Sequence, residues 1–275
     1  MRSPRQIFED NIRPADLLLR VYRLLDTDDR FLTEGTMVDE LRKVVGANNS
    51  EDLMLVYNEV FLGLVREGAN MPRSTLKRSS LAHLLRQAVV ASCTGLDTYL
   101  PVLLGQYLPI TIRARGRDFI SSSDGEIMEF FKELNFTLDD TLRLIAETKR
   151  SGNDSYAADF ISTKILSLTK FKYLSTAKGI QVVGKLLGLE TPWDMISDHL
   201  KREKKDLKTK LNETVERRND IVHRADRNQN DPLGEPQDIN YSWTRQSVDT
   251  IQHVCFALDE LVTARVKEFE AVVAA

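Results

Sequence analysis

Cysteine is nearly absent from this chain. Two in 275 residues, Cys93 and Cys255, stand far apart inside helical patterns with no CxxC pair, which argues against a disulfide framework or a zinc knuckle. Such sparing use of thiols fits a reducing cytoplasm. Histidine is also scarce: of the four, His83, His199 and His253 show no metal-ligand spacing, so no metal site is expected. Nor does one sign of charge dominate. Lys and Arg number 38 against 41 Asp and Glu, a net of −3, so binding to nucleic acid would need a local patch rather than a global basic field. Long hydrophobic runs are missing too. The start, MRSPRQIFEDNIRP, has no apolar core of signal-peptide type, and the greasiest region, AVVASCTGLDTYLPVLLG, is interrupted by Asp97 and Pro101; no membrane span is expected.

What is present is helical periodicity. With 42% hydrophobic residues the chain can bury a sizeable core. Its apolar residues recur at steps of three and four, and alternating β-branched runs are scarce, so the fold class is all-α. Helices are expected near 5–25, 37–46, 51–67, 75–107, 124–132, 137–149, 154–169, 175–187, 193–223 and 243–270. The turn formers Gly68, Asn70 and Pro72 in GANMPRS, 68–74, divide an N-terminal helical module, 1–72, from a larger domain, 73–275. A long polar loop is expected over 226–242. Gly179 to Leu186 imitates a phosphate-binding loop but has Leu where a magnesium-binding hydroxyl is needed. It reads instead as a helix end, with Gly188 near the C-cap and Pro192 opening the next helix. Trp243, Ile251, Val254, Leu258 and Leu261 form a stripe suited to a core or a dimer interface.

Chemistry concentrates in RRNDIVHRADR, 217–227. At ~100° per residue Leu207, Leu211, Val215 and Val222 form one apolar stripe, with Arg218 in its middle. A buried unpaired arginine is costly, so Arg218 needs a carboxylate, a phosphate or a partner chain. Asn219 and His223 lie roughly 100° and 140° round from it, with Arg217 and Asp220 alongside. Arginine offers a permanent charge and a planar fork to phosphate oxygens, while histidine gains or loses a proton near neutral pH. Together they suit phosphodiester cleavage: a base takes the proton of a ribose 2′-hydroxyl, the oxygen attacks phosphorus, and a fixed cation stabilises the charge that builds. No metal or cofactor is needed. An ordinary helix end, with Arg218 in a salt bridge and His223 against the helix dipole, uses the same residues, and Arg78 to His83 repeats the spacing without Asn, Asp or His after the arginine.

Asp97 lies in a helix that is apolar over much of its circumference, so it needs a partner; Arg218, another arginine or solvent would each serve. The run KREKKDLKTK, with Lys201, Arg202, Lys204, Lys205 and Lys208, and the segment RARGR, 113–117, in an expected loop, are candidates to track an RNA backbone. Both also read as solvated faces.

RRNDIVH, late in a long charged helix and followed by a polar loop and a last amphipathic helix, resembles the motif of the HEPN superfamily: Arg, a polar residue, then His after four to six intervening residues. The closest resemblance is to the RiboL-PSP-type branch, whose first core helix is similar to RSSLAHLLRQAVVASCTGLDTYLPVLLGQYL, Asp97 included. The likeness covers roughly residues 75–270 and leaves 1–72 unassigned. It implies a HEPN-like helical bundle that homodimerises through the motif face and acts as a metal-independent endoribonuclease without a cofactor. Such domains occur in bacterial toxins and antiphage defence, where they cut tRNA or other RNA, with an antitoxin or defence-system protein as partner. On that likeness Arg218 orients and neutralises the phosphate, Asn219 is the polar follower and His223 is the base or acid. Arg217 also fits the spacing but is followed by Arg218; Asp97, Asp220 and Arg217 are supporting positions. The alternatives are an inactive module of the same fold that binds nucleotide, RNA or a protein, and a helical adaptor in which the motif is accidental.

Overall fold

The computed structural model describes residues 2–26, 31–32, 39, 43, 53–58, 61–66, 78–116, 118–121, 125, 128, 131–151, 155–168 and 174–274. In chain order the elements are α1 (Pro4–Leu25), β1 (Phe31–Leu32), β2 (Leu53–Asn58), β3 (Phe61–Arg66), α2 (Arg78–Arg115), α3 (Asp118–Ser121), α4 (Leu138–Ser151), α5 (Ser155–Leu166), α6 (Ala177–Leu186), α7 (Pro192–Leu200), α8 (Lys204–Arg224) and α9 (Tyr241–Ala274). The helical body is all-α, as the periodicity predicts. The expected helices over 37–46 and 124–132 and the turn at 68–74 lie wholly or largely outside the described residues.

The chain forms two compact units, one of Met1–Ile12, Ser92–Asn219 and Asp249–Ala275, the other of Arg13–Ala91 and Asp220–Val248. In the first, Leu96, Tyr99, Leu100, Leu103 and Leu104 of α2, Leu207 and Leu211 of α8 and Ile251, Val254 and Leu258 of α9 are fully buried. Of the stripe expected on α9, Trp243 and Leu261 are only half-buried. Phe8 of α1 packs on Tyr99 and Phe256, with ring centroids 5.3 and 5.7 Å away. Among the described residues α2 is the one helix long and apolar enough to cross a membrane, and much of its length is buried within the protein.

Three further features differ from the sequence reading. Where a helix is expected over 51–67, the described residues 53–58 and 61–66 are strands: β2 and β3 pair antiparallel, with Leu55 opposite Leu64, and β1 pairs with β2. The apolar residues there run together, so periodicity does not choose, while Val56, Tyr57, Phe61 and Val65 favour strands and Gly63 disfavours helix. The expected helix over 193–223 is broken. Lys201 closes α7 in the left-handed conformation, φ 52°, and the Ser197 hydroxyl donates to the Arg202 carbonyl at 2.6 Å. The charged run 201–206 has no apolar side chain to anchor a continuous helix to the core. Lastly, Arg113 and Arg115 are not in a loop but form the last turn of α2, which ends at Gly116, φ 52°.

Helix α8 is held at its side by α6. Thr176 caps α6 by accepting from the Gly179 N–H at 3.1 Å, and the Ala177 N–H donates to Asn212 Oδ1 of α8 at 3.0 Å. Trp193, at the start of α7, donates to the Ala177 carbonyl at 2.8 Å. As expected, α6 ends before Gly188, φ 89°, and Pro192 opens α7.

A Cβ on Gly179 would stand 1.9 Å from the Leu174 carbonyl oxygen. Gly179→Ala is therefore expected to cost about 1–3 kcal/mol of stability. At Gly105, where the nearest neighbour of a new Cβ is a Leu166 methyl 3.8 Å away, alanine should hold or raise stability. Thermal midpoints of the two variants check both.

Candidate functional site

Leu207 and Leu211 are fully buried and Val215 nearly so, which fixes the rotation of α8 about its axis. The stripe stops there. Val222, expected to continue it, is 52% exposed, and no residue of α8 beyond Val215 is fully buried. Arg218 sits where the buried face gives out. Its Nη2 lies 3.1 Å from Asp97 Oδ2 on α2, so the structure gives Asp97 the arginine as its partner. The guanidinium side chain is 23% exposed, and its buried Nε has no hydrogen-bond partner among the described residues.

The surroundings are partly buried. Burial pushes the Cys93 thiol, one turn before Asp97, up to about 12, with Arg218 acting in the opposite direction. The thiol donates to the Thr214 carbonyl at 4.0 Å and is too basic to serve as a nucleophile near neutral pH. Burial also raises the Asp97 carboxyl, against the pull of Arg218. A carboxyl raised in the folded state favours its protonated form, so the stability that follows is present at acid pH and lost as pH rises through the raised value. The Asp97–Arg218 pair thus orients the arginine more than it stabilises the fold.

The remaining motif residues lie further along the same helix. Asn219 and His223 are exposed, and Arg217 is half-buried. Asp220 accepts from Arg224 Nη1 at 2.6 Å, an i,i+4 pair. The second unit then ends α8 in an unusual way. Ala225 and Asp226 are both left-handed, φ 50° and 63°, which costs about 1–2 kcal/mol for each side chain with a Cβ. Aspartate tolerates this better than most.

What holds the turn is buried charge. The Asp226 N–H donates to the Asp220 carbonyl at 2.9 Å, while its buried carboxylate accepts from Arg86 Nε at 2.5 Å. Arg86 Nη2 donates to the Gln237 carbonyl at 2.9 Å, and the Gln237 N–H returns to the Asp226 carbonyl at 2.8 Å. Arg227 Nε donates to the Gly234 carbonyl at 2.8 Å. The expected polar loop is present, between α8 and α9, and these bonds tie it down. Arg86 has no motif around it, and sequence reasoning missed it; Asp226, a polar residue just past a helix end, was the available signal.

The five basic residues considered for RNA are not one strip. Lys201 and Arg202 lie in the break between α7 and α8, Lys204 pairs with Asp194 at 2.5 Å, Lys208 stands 5.9 Å above the Trp193 ring, and Lys205 is exposed. Among the described residues no three His, Cys, Asp or Glu side chains are grouped to hold a metal ion. Comparison of the chain with protein-family models, curated proteins and solved structures gives no match.

Arg86→Ala removes a cation from a buried carboxylate and is expected to cost about 3–5 kcal/mol. Arg224→Ala breaks only a surface pair, worth about 0.3–0.5 kcal/mol. Urea unfolding of the two variants measures the contrast; similar losses would show that the Arg86–Asp226 pair does not hold the end of the helix.

Proposed function

We propose that this chain is a metal-independent endoribonuclease of HEPN type, acting as a bacterial toxin or antiphage effector. The observation that carries the reading is helix α8, which holds Arg218 against Asp97 at the edge of the core and carries Asn219 and His223 exposed on its last turns. In the reaction His223 takes the proton of a ribose 2′-hydroxyl, or donates one to the leaving group. The 2′-oxygen bonds to the adjacent phosphorus and the bond from phosphorus to the 5′-oxygen breaks, leaving a 2′,3′-cyclic phosphate and a 5′-hydroxyl. Arg218 neutralises the charge that builds on the phosphoryl oxygens, and Asp97 keeps it in place. The exposed face of Asn219, Val222 and His223 is where a second copy would add its own motif, and the exposed Lys205 would meet the RNA backbone.

One observation favours a different reading. The charge of Arg218 is already countered by Asp97, as befits a structural tie in a non-enzymatic helical module that binds nucleotide, RNA or a protein. Incubation of purified protein with total RNA and a tRNA pool in EDTA, beside His223→Ala and Arg218→Ala, separates the two. Cleavage is expected from the parent chain, with a loss of about 10²–10⁴ in rate when His223 is removed and retained folding, since that side chain is exposed. Intact RNA with every variant would favour the binding module, and undiminished cleavage by both variants would remove the site from α8.

A further inference from the structure

The arginines that close α2 take no part in the chemistry of α8. Arg115 lies ~27 Å along α2 from Asp97, at about 1.5 Å per residue. Its neighbour there is Arg265 of α9. Burial lowers Arg115 from its ordinary value, the like charge of Arg265 lowers it further, and Asp118 acts in the opposite direction. Both arginines are half-buried. Each is also fixed. The Arg115 guanidinium stands 5.8 Å from the centre of the Phe119 ring and donates from Nη2 to the Asp118 carbonyl at 3.2 Å. That of Arg265 stands 4.7 Å over the Phe269 ring and donates from Nε to the Gly188 carbonyl at 3.2 Å. Phe119 and Phe269 are buried, so both platforms belong to the core. Gly188 lets its carbonyl come this close: a Cβ there would stand 2.6 Å from the Phe269 ring.

Two fixed cations side by side repel each other most where water is scarce. A shared anion removes that cost and gains charge-assisted hydrogen bonds from each fork. The pair also selects the anion's shape. A carboxylate has two oxygens in one plane, whereas a tetrahedral phosphate presents oxygens to two planar guanidiniums at once. We infer that Arg115 and Arg265 form a phosphate-binding site between the end of α2 and α9, taking a phosphate group from an RNA strand or from a small phosphorylated molecule. Glu268 is the internal competitor for this site. Its carboxylate pairs with Arg265 Nη1 and its side chain is 63% exposed, a surface i,i+3 pair of little worth that a phosphate group displaces. Binding there needs nothing from Arg218 or His223, so it stands or falls apart from the chemistry of α8.

Titration of the full chain with inorganic phosphate, against sodium chloride of equal ionic strength and followed by the thermal midpoint, tests this. A saturable rise is expected in the parent chain, with affinity reduced about tenfold or more in Arg115→Gln and in Arg265→Gln. Glu268→Gln removes the competitor from an exposed position and should tighten binding, a gain that loss of fold cannot imitate. A 2′-O-methyl RNA strand, which cannot be cleaved through its 2′-oxygen, identifies the source of the phosphate. Strand binding weakened by the same two arginine changes would assign the site to an RNA backbone. Strand binding indifferent to them, beside a lost phosphate response, would assign it to a small phosphorylated molecule. No saturable response in the parent chain, a response unchanged in both arginine variants, or weaker binding in Glu268→Gln would overturn the assignment.

Discussion

The burial of Leu207, Leu211 and Val215 is the constraint on which the rest of the candidate site depends. A helix is stiff, so once those three side chains are fixed in the core the direction of Arg218, three residues on, is set at ~100° per step. Arg218 therefore arrives at the edge of the core, where it is half-desolvated and Asp97 is within reach of its guanidinium. The cost of moving that charge out of water is met by an ion pair. Beyond it no residue of α8 is fully buried, and Asn219, Val222 and His223 are exposed.

The helix cannot simply continue into solvent, because the chain must return to form α9. Two left-handed residues without the freedom of glycine make that turn, and the strain they store is balanced by a buried carboxylate meeting Arg86, by the bond from Arg86 to the Gln237 carbonyl and by one backbone bond from the Gln237 N–H to Asp226. The loop after the motif is consequently an ordered structure. Removing such a charge from its partner costs more than breaking any of the surface pairs nearby.

Much of this was legible in the sequence, and the failures share physical causes. Periodicity showed the α8 stripe as far as Val215 but could not show where the core ends, so Val222 was placed inside it. The need of Arg218 for a counter-charge was evident from its position, whereas the choice of Asp97 over other partners depends on how α2 and α8 pack. Arg86 lies 140 residues from Asp226, and nothing local marks it. The β2–β3 hairpin was read as helix because a contiguous apolar run carries no period, and the break at Lys201 was missed because propensity alone permits a helix through it.

The chemistry of the new ends formed on RNA bears most directly on α8 as a ribonuclease element. Transesterification by the neighbouring 2′-hydroxyl predicts a 2′,3′-cyclic phosphate and a 5′-hydroxyl, and no cut where that nucleotide is replaced by its 2′-deoxy form. Ends carrying a 3′-hydroxyl and a 5′-phosphate, or cleavage that persists at the 2′-deoxy position, would mean that water is the nucleophile and would contradict the roles given to Arg218 and His223.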